Sequence, residues 1–187
     1  DTLEKAKVLG ARIINAPRGR ASQMNHGAAD ASADILLFLH ADTRLPEDYL
    51  DHIRQALSEP GTACGAFRFA TDHASFSMNI ISRFTNLRSE YLQMPYGDQG
   101  LFMKKETFHR VSGYPDLPIM EDYVLVRRLR KLGRIRICNA SIITNARRWH
   151  RRGPWRTTLT NQLTILTYHL GRNPKRIADR HHRRREK

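Results

Sequence analysis

Apolar positions along the chain alternate between short continuous runs and stretches with helical spacing. Thr2 to Leu9 is patterned as a helix that passes through Gly10 into a short strand, Ala11-Arg12-Ile13-Ile14-Asn15, ended by Pro17 and Gly19. An Ala-rich helix over Ala21–Ala33 precedes Ile35-Leu36-Leu37-Phe38-Leu39, the continuous apolar run that a buried strand of a parallel sheet produces. The pattern then predicts a helix over Pro46–Leu57, a strand over Thr62–Phe69, a helix over Ser75–Leu92, a strand over Gly100–Met103 and a helix over Lys105–Val111. Leu125, Leu129 and Leu132, at i, i+4 and i+7, mark a helix over Glu121–Leu132 stopped by Gly133, and strands follow over Ile135–Cys138 and Ser141–Thr144. Such alternation predicts an α/β fold. A start on helix then strand falls in the middle of a βαβ repeat, so a strand-helix-strand segment is expected upstream of Asp1.

After Trp149 the pattern changes. Leu159, Leu163, Leu166 and Leu170 form one stripe of a helix that follows Pro154-Trp155 and stops at Gly171. A stripe of this kind packs on a core or rests on a membrane surface. The tail from Arg172 ends without apolar residues and is expected to be mobile. The resulting organisation is a body over 1–152, an amphipathic helix over 153–171 and a basic tail over 172–187.

Composition narrows the class. At 187 residues and 40% hydrophobic content the chain can bury the core of one domain. The longest apolar run, Ile35 to Leu39, is far too short to cross a bilayer. Cys64 and Cys138 stand alone, without the spacing of a zinc site, and fit a reducing, cytoplasmic setting. Net charge is +14, but residues 147–187 carry 13 Lys and Arg against Asp179 and Glu186, so the body is nearly balanced. Aromatic side chains are scarce in that basic segment, which disfavours nucleic acid as a partner. An anionic membrane, at the inner face of the cytoplasmic membrane, suits it better.

Four segments carry candidate chemistry. Asp42 follows the Ile35–Leu39 strand by three residues, at the carboxyl edge where α/β sheets bind ligands, and a carboxylate there suits a hard divalent cation. A helix cap or an Asx turn with Thr43 would also account for it. Glu121 and Asp122 open a helix, where the dipole favours acids. Asp122 lies three residues before Leu125 and seven before Leu129, on the inward face, where an acid needs a partner or a cleft. Gly97-Asp98-Gln99-Gly100 reads as a turn or as a binding loop. In Arg147-Arg148-Trp149-His150 the guanidinium groups could bind a diphosphate and His150 could join a metal shell. A haloacid dehalogenase-type phosphatase would need an acid at the position of His40, so that alternative ranks low.

Taken as a set, Ala16-Pro17-Arg18-Gly19-Arg20-Ala21 with Gln23, Asn25 and Gly27, then Leu39-His40-Ala41-Asp42-Thr43, Gly97-Asp98-Gln99-Gly100 and Met120-Glu121-Asp122, resembles family 2 glycosyltransferases. The Arg-Gly-Arg and His-Ala-Asp-Thr forms resemble the small bacterial arsenosugar-biosynthesis-type subgroup. The resemblance implies a GT-A fold, an open, mixed and mostly parallel sheet flanked by helices, here N-terminally incomplete. It implies that Asp42 is the last acid of an Asp-x-Asp metal motif whose first position is His40, with Mg²⁺ or Mn²⁺ as the cation. It implies Asp122 as general base beside Glu121, and Gly97, Asp98, Gln99 and Trp149 on the acceptor side. Arg18, Arg20, Gln23, Asn25, Arg147 and Arg148 would face the donor diphosphate. The Arg147-Arg148-Trp149 segment resembles the end of a processive motif whose glutamine is missing here. The implied reaction is inverting sugar transfer from a nucleoside-diphosphate donor to an acceptor hydroxyl, with a lipid-linked acceptor among the options. The rival class is a basic binding module for nucleic acid or anionic membrane. Oligomeric state is open.

Overall fold

A computed structural model describes residues 2–73 and 75–179, with the side chains of Thr2, Arg148, His150 and Arg151 left aside. In chain order the elements are α1 (Thr2–Val8), α2 (Arg20–Asp30), β1 (Ile35–Phe38), β2 (Thr43–Arg44), α3 (Tyr49–Ser58), β3 (Thr62–Thr71) and α4 (Phe76–Leu92). A 3-10 turn at Gly97–Gln99 leads to β4 (Leu101–Lys104), α5 (Lys105–Arg110), α6 (Glu121–Leu129), β5 (Arg134–Thr144), α7 (Arg147–Arg152) and α8 (Pro154–His169).

The five strands form one sheet in the order β1-β4-β3-β5-β2. Only β3 and β5 run parallel; β1–β4, β4–β3 and β5–β2 are antiparallel. The expected mostly parallel sheet is therefore corrected to a mixed, mostly antiparallel one. An apolar run signals burial on both faces but carries no sign for strand direction. Cross-strand contact is close at the centre: a Cβ on Gly65 would lie 2.2 Å from the Phe102 ring carbons Cε2 and Cζ, so the β3–β4 crossing has room for glycine alone.

The expected strand over Ala11–Asn15 does not form, and residues 11–17 have no regular structure. Among the described residues no strand pairs with them, and Ile14 stays exposed. Without a ladder to satisfy its N–H and C=O groups, an apolar run is not a strand. The two strands expected at 135–138 and 141–144 are one, β5, whose pairing with β3 shifts register between Ala66 and Arg68. The Glu121 helix ends at Leu129, three residues early. The tail is also partly ordered: residues 174–179 are helical, with Ile177 and Ala178 buried.

The main core lies between the sheet and the α2, α5 and α6 layer, around Leu36, Leu101, Met103, Leu125 and Leu129. A second cluster packs α3 on the other face through Ile53, Phe67, Phe102 and Ile142. Each such fully buried side chain contributes about 1.5–3 kcal/mol relative to exposure. Among the described residues no helix is long and apolar enough to cross a membrane.

Candidate active site

The site is built where β1 ends. The chain leaves β1 through Leu39 and turns at His40–Thr43, closed by Thr43 N–H donating to the His40 carbonyl at 3.1 Å. Thr43 then pairs with Thr144 at the end of β5, and Asn145 N–H donates to the Asp42 carbonyl at 3.2 Å. Asn145 Oδ1 in turn accepts from Arg147 N–H at 2.8 Å, at the start of α7. Asp42 and Arg147, far apart in sequence, are thus brought to one edge by the β2–β5 ladder, and both are exposed.

Asp122 reaches the same edge from α6. Its Oδ2 accepts from Gly97 N–H at 2.8 Å and its Oδ1 from Tyr123 N–H at 2.7 Å. A Cβ on Gly97 would lie 3.1 Å from Asp122 Oδ2 and 3.3 Å from Arg20 Nη2, so glycine lets the loop, the acid and the guanidinium meet. Just before the acids Met120 takes a left-handed backbone, φ 71°, which costs a non-glycine residue of order 1–3 kcal/mol and is held by the surrounding packing.

Arg20, the first residue of α2, organises the charges. Its Nε lies 3.1 Å from Glu121 Oε1, and Glu121 is buried. Its Nη2–H donates to His40 Nε2 at 2.9 Å; a guanidinium only donates, so that nitrogen carries no proton. Burial and then Arg20 hold the His40 pKa down, against the carboxylates of Asp98, Asp42 and Asp122, which raise it. Glu121 is shifted upward, first by burial and then by Asp122, with Arg20 opposing.

A cleft of about 370 Å³ runs between α2 and the edge strand β1 and opens onto Arg20, His40, Gly97 and Tyr114. Asn25 holds its wall: Nδ2 donates to the Tyr114 carbonyl and Oδ1 accepts from Tyr114 N–H, both at 2.9 Å. Burial pushes the Tyr114 phenol well up. Arg18 and Gln23 are exposed at the start of α2.

Gln99 and Trp149 are packed inside. Gln99 is fully buried and ties the loop to the sheet, donating to the Phe67 carbonyl at 3.0 Å and accepting from Ser89 Oγ at 2.7 Å and Arg88 Nη2 at 3.1 Å. Trp149 is buried against Phe69, with Met78 and Ile81 beside it. The side chains of Arg148 and His150 lie outside the described residues. Among the described residues no three His, Cys, Asp or Glu side chains are arranged to hold a metal ion. Cys64 and Cys138 are free and buried, their thiols pushed up to about 12 and about 11 by burial, which leaves them unreactive.

Two positions went unnoticed in the sequence. Arg88 stacks over the Tyr96 ring at 3.5 Å and bonds the Met94 carbonyl, fixing the strand-side approach to Gly97. It follows buried Ile81 by seven residues, a spacing that places it on the inward face of α4. Tyr114 carries no such signal, because a loop residue has no period.

Residues 1–114 match the family model described as Glycosyl transferase family 2. No curated protein matches the chain. The matched stretch includes Arg20, His40, Asp42, Gly97 and Asp98 and ends before Glu121 and Asp122.

Proposed function

The chain belongs to glycosyl transferase family 2, and on that premise we propose that it moves a sugar from a nucleoside-diphosphate donor to an acceptor hydroxyl with inversion, using Asp122 as general base. The observation that carries this reading is the 2.8 Å bond from Gly97 N–H to Asp122 Oδ2. It joins the family-matched half of the site to an acid whose two oxygens are both aimed by backbone donors. A carboxylate fixed in this way keeps lone pairs for an incoming hydroxyl. Asp122 takes the hydroxyl proton while the acceptor oxygen bonds to the anomeric carbon; the bond to the phosphate oxygen breaks on the opposite side, and the diphosphate leaves with its electron pair.

Glu121 is a positioning residue. By pairing with Arg20 it holds the guanidinium at Gly97 and His40, where it faces the mouth of the cleft. Arg18, Arg20 and Arg147, with Arg148 next to it in the chain, supply positive charge toward a diphosphate. His40 serves as a neutral acceptor for Arg20, which leaves Asp42 as the exposed carboxylate at this edge. A Mg²⁺ or Mn²⁺ that keeps waters and binds donor phosphates needs one or two carboxylates and no protein cage, so Asp42 fits it although no three-ligand cluster is found among the described residues. Bound there, the ion would offset charge growing on the leaving phosphate. In this reading Asp98 serves the acceptor side. The Arg18-Gly19-Arg20 and His40-Ala41-Asp42-Thr43 forms favour a place in the arsenosugar-biosynthesis-type subgroup, and a cytoplasmic location fits the reduced cysteines.

Asp122→Asn tests the reading. Turnover should fall by about 10² to 10⁴ while donor binding, followed by calorimetry, is kept. Near-normal turnover in that variant would assign the base elsewhere. The rival reading, a basic binding module in place of an enzyme, finds no support.

A further inference from the structure

Two helices that touch each other leave their apolar sides uncovered. On α4, Phe76, Phe84 and Tyr91 are 80%, 68% and 78% exposed. On α8, Trp155, Leu159 and Leu170 are 55%, 60% and 71% exposed. The spacing is the same on both. Apolar residues recur at i, i+4, i+8, i+11 and i+15, from Phe76 to Tyr91 and from Trp155 to Leu170. Each stripe therefore occupies one side of its helix. Exposed apolar surface on this scale is rare on a protein that has no partner there.

The charge around these stripes is mainly positive, and Glu90 on α4 is paired with Arg68. Between Asp122 and Asp179 the sequence contains no Asp or Glu. Arg83 on α4, Arg156 on α8 and Arg172, Lys175 and Arg176 just beyond it are exposed. The sequence continues past them into His181-His182-Arg183-Arg184-Arg185. A second copy of the chain would bring the same cationic fringe and a further +14 against it, which opposes self-association. A surface that is apolar just below a layer of phosphate complements both properties at once.

We propose that the α4–α8 face docks on the surface of an anionic lipid bilayer, with the two apolar stripes at the headgroup boundary and the Arg and Lys fringe on lipid phosphates. The protein lies on the membrane and does not span it. Docking would also orient the site: at the end of α8, His169 Nε2 lies 2.5 Å from Tyr123 Oη, and Tyr123 follows Asp122. This last consequence rests on the proposed function; docking itself does not.

The test is flotation of the full chain with phosphatidylcholine vesicles, with and without phosphatidylglycerol. Binding is expected only with phosphatidylglycerol, falling by about tenfold or more in molar salt, where screening is nearly complete. Brominated lipid should quench exposed Trp155. The double variant Phe84→Ser, Leu166→Ser alters solvent-facing positions, so circular dichroism should be unchanged while flotation is lost. Failure of the wild type to float, or equal flotation of the double variant, overturns the proposal. So does a wild-type dimer that the same variant dissolves, which would give the face to a second copy. Flotation needs no turnover, so an inactive protein that floats leaves docking standing, and an active one that does not float leaves the sugar-transfer reading standing.

Discussion

Glu121 shows how one side chain links the site to stability. It is 3% exposed beside a second acid, and Arg20, its partner, is more than half exposed. Burial raises its pKa above the ordinary 4.5. The native state therefore binds its proton more tightly than the unfolded chain does, and stability falls as pH rises from about 4.5 through the raised value. Glu121→Gln removes that titration. Urea midpoints across this pH range should decline for the wild type and run flatter for the variant. A parallel decline in both would mean that Glu121 does not carry the effect. Transfer activity should fall in the same variant, because Arg20 loses the charge that holds it near Gly97.

At the scale of elements, the strand crossings decide where the site residues stand. β3 is the central strand, pairing antiparallel with β4 and parallel with β5. Gly65 is paired with both Phe102 and Arg136, and the Phe102 ring lies where a side chain would be. Gly65→Ala should cost about 1–3 kcal/mol, the usual range for overpacking a core, as measured by urea unfolding. A shift near zero would show that Phe102 can rotate away, which its complete burial opposes. The Gly97 loop depends on the same crossing, because Gln99 hangs on the Phe67 carbonyl of β3. Overpacking at Gly65 should therefore lower activity as well as stability.

For the whole molecule, ligand binding and folding are coupled through the cleft. The proposed donor site draws on α2, the β1 turn and the 97–99 loop, which are joined only in the folded state. A nucleoside diphosphate with Mn²⁺ at about 100 times its dissociation constant should stabilise the fold by about 2.7 kcal/mol. Thermal shift with UDP, GDP and ADP, each with and without Mn²⁺, reads this directly. Asp42→Ala should abolish the part that depends on Mn²⁺ and leave the remainder. An Mn²⁺-dependent shift that survives in Asp42→Ala would move the ion to another ligand. The +11 carried by residues 147–187 does not enter this coupling, which belongs to the nearly balanced body.

From its residues alone the chain announced alternating helices and strands, the carboxylate just past the Ile35–Leu39 run, and the inward acid at Asp122, because periodicity and local spacing are properties of sequence. Strand direction was not legible, since an apolar run reads the same from either end; three of four pairings proved antiparallel. Nor was the fate of Ala11–Asn15, which has strand residues but no neighbour among the described strands. Trp149 is packed on Phe69, and the leucines of α8, which suit a core or a membrane surface by their spacing alone, face outward. Only the tertiary structure brought Asp122 to Gly97 and Arg20 to His40, because that meeting depends on how α2, the β1 turn, the 97–99 loop and α6 pack together. Contacts between segments so distant in sequence are set by how elements pack, and packing is decided by the whole chain at once.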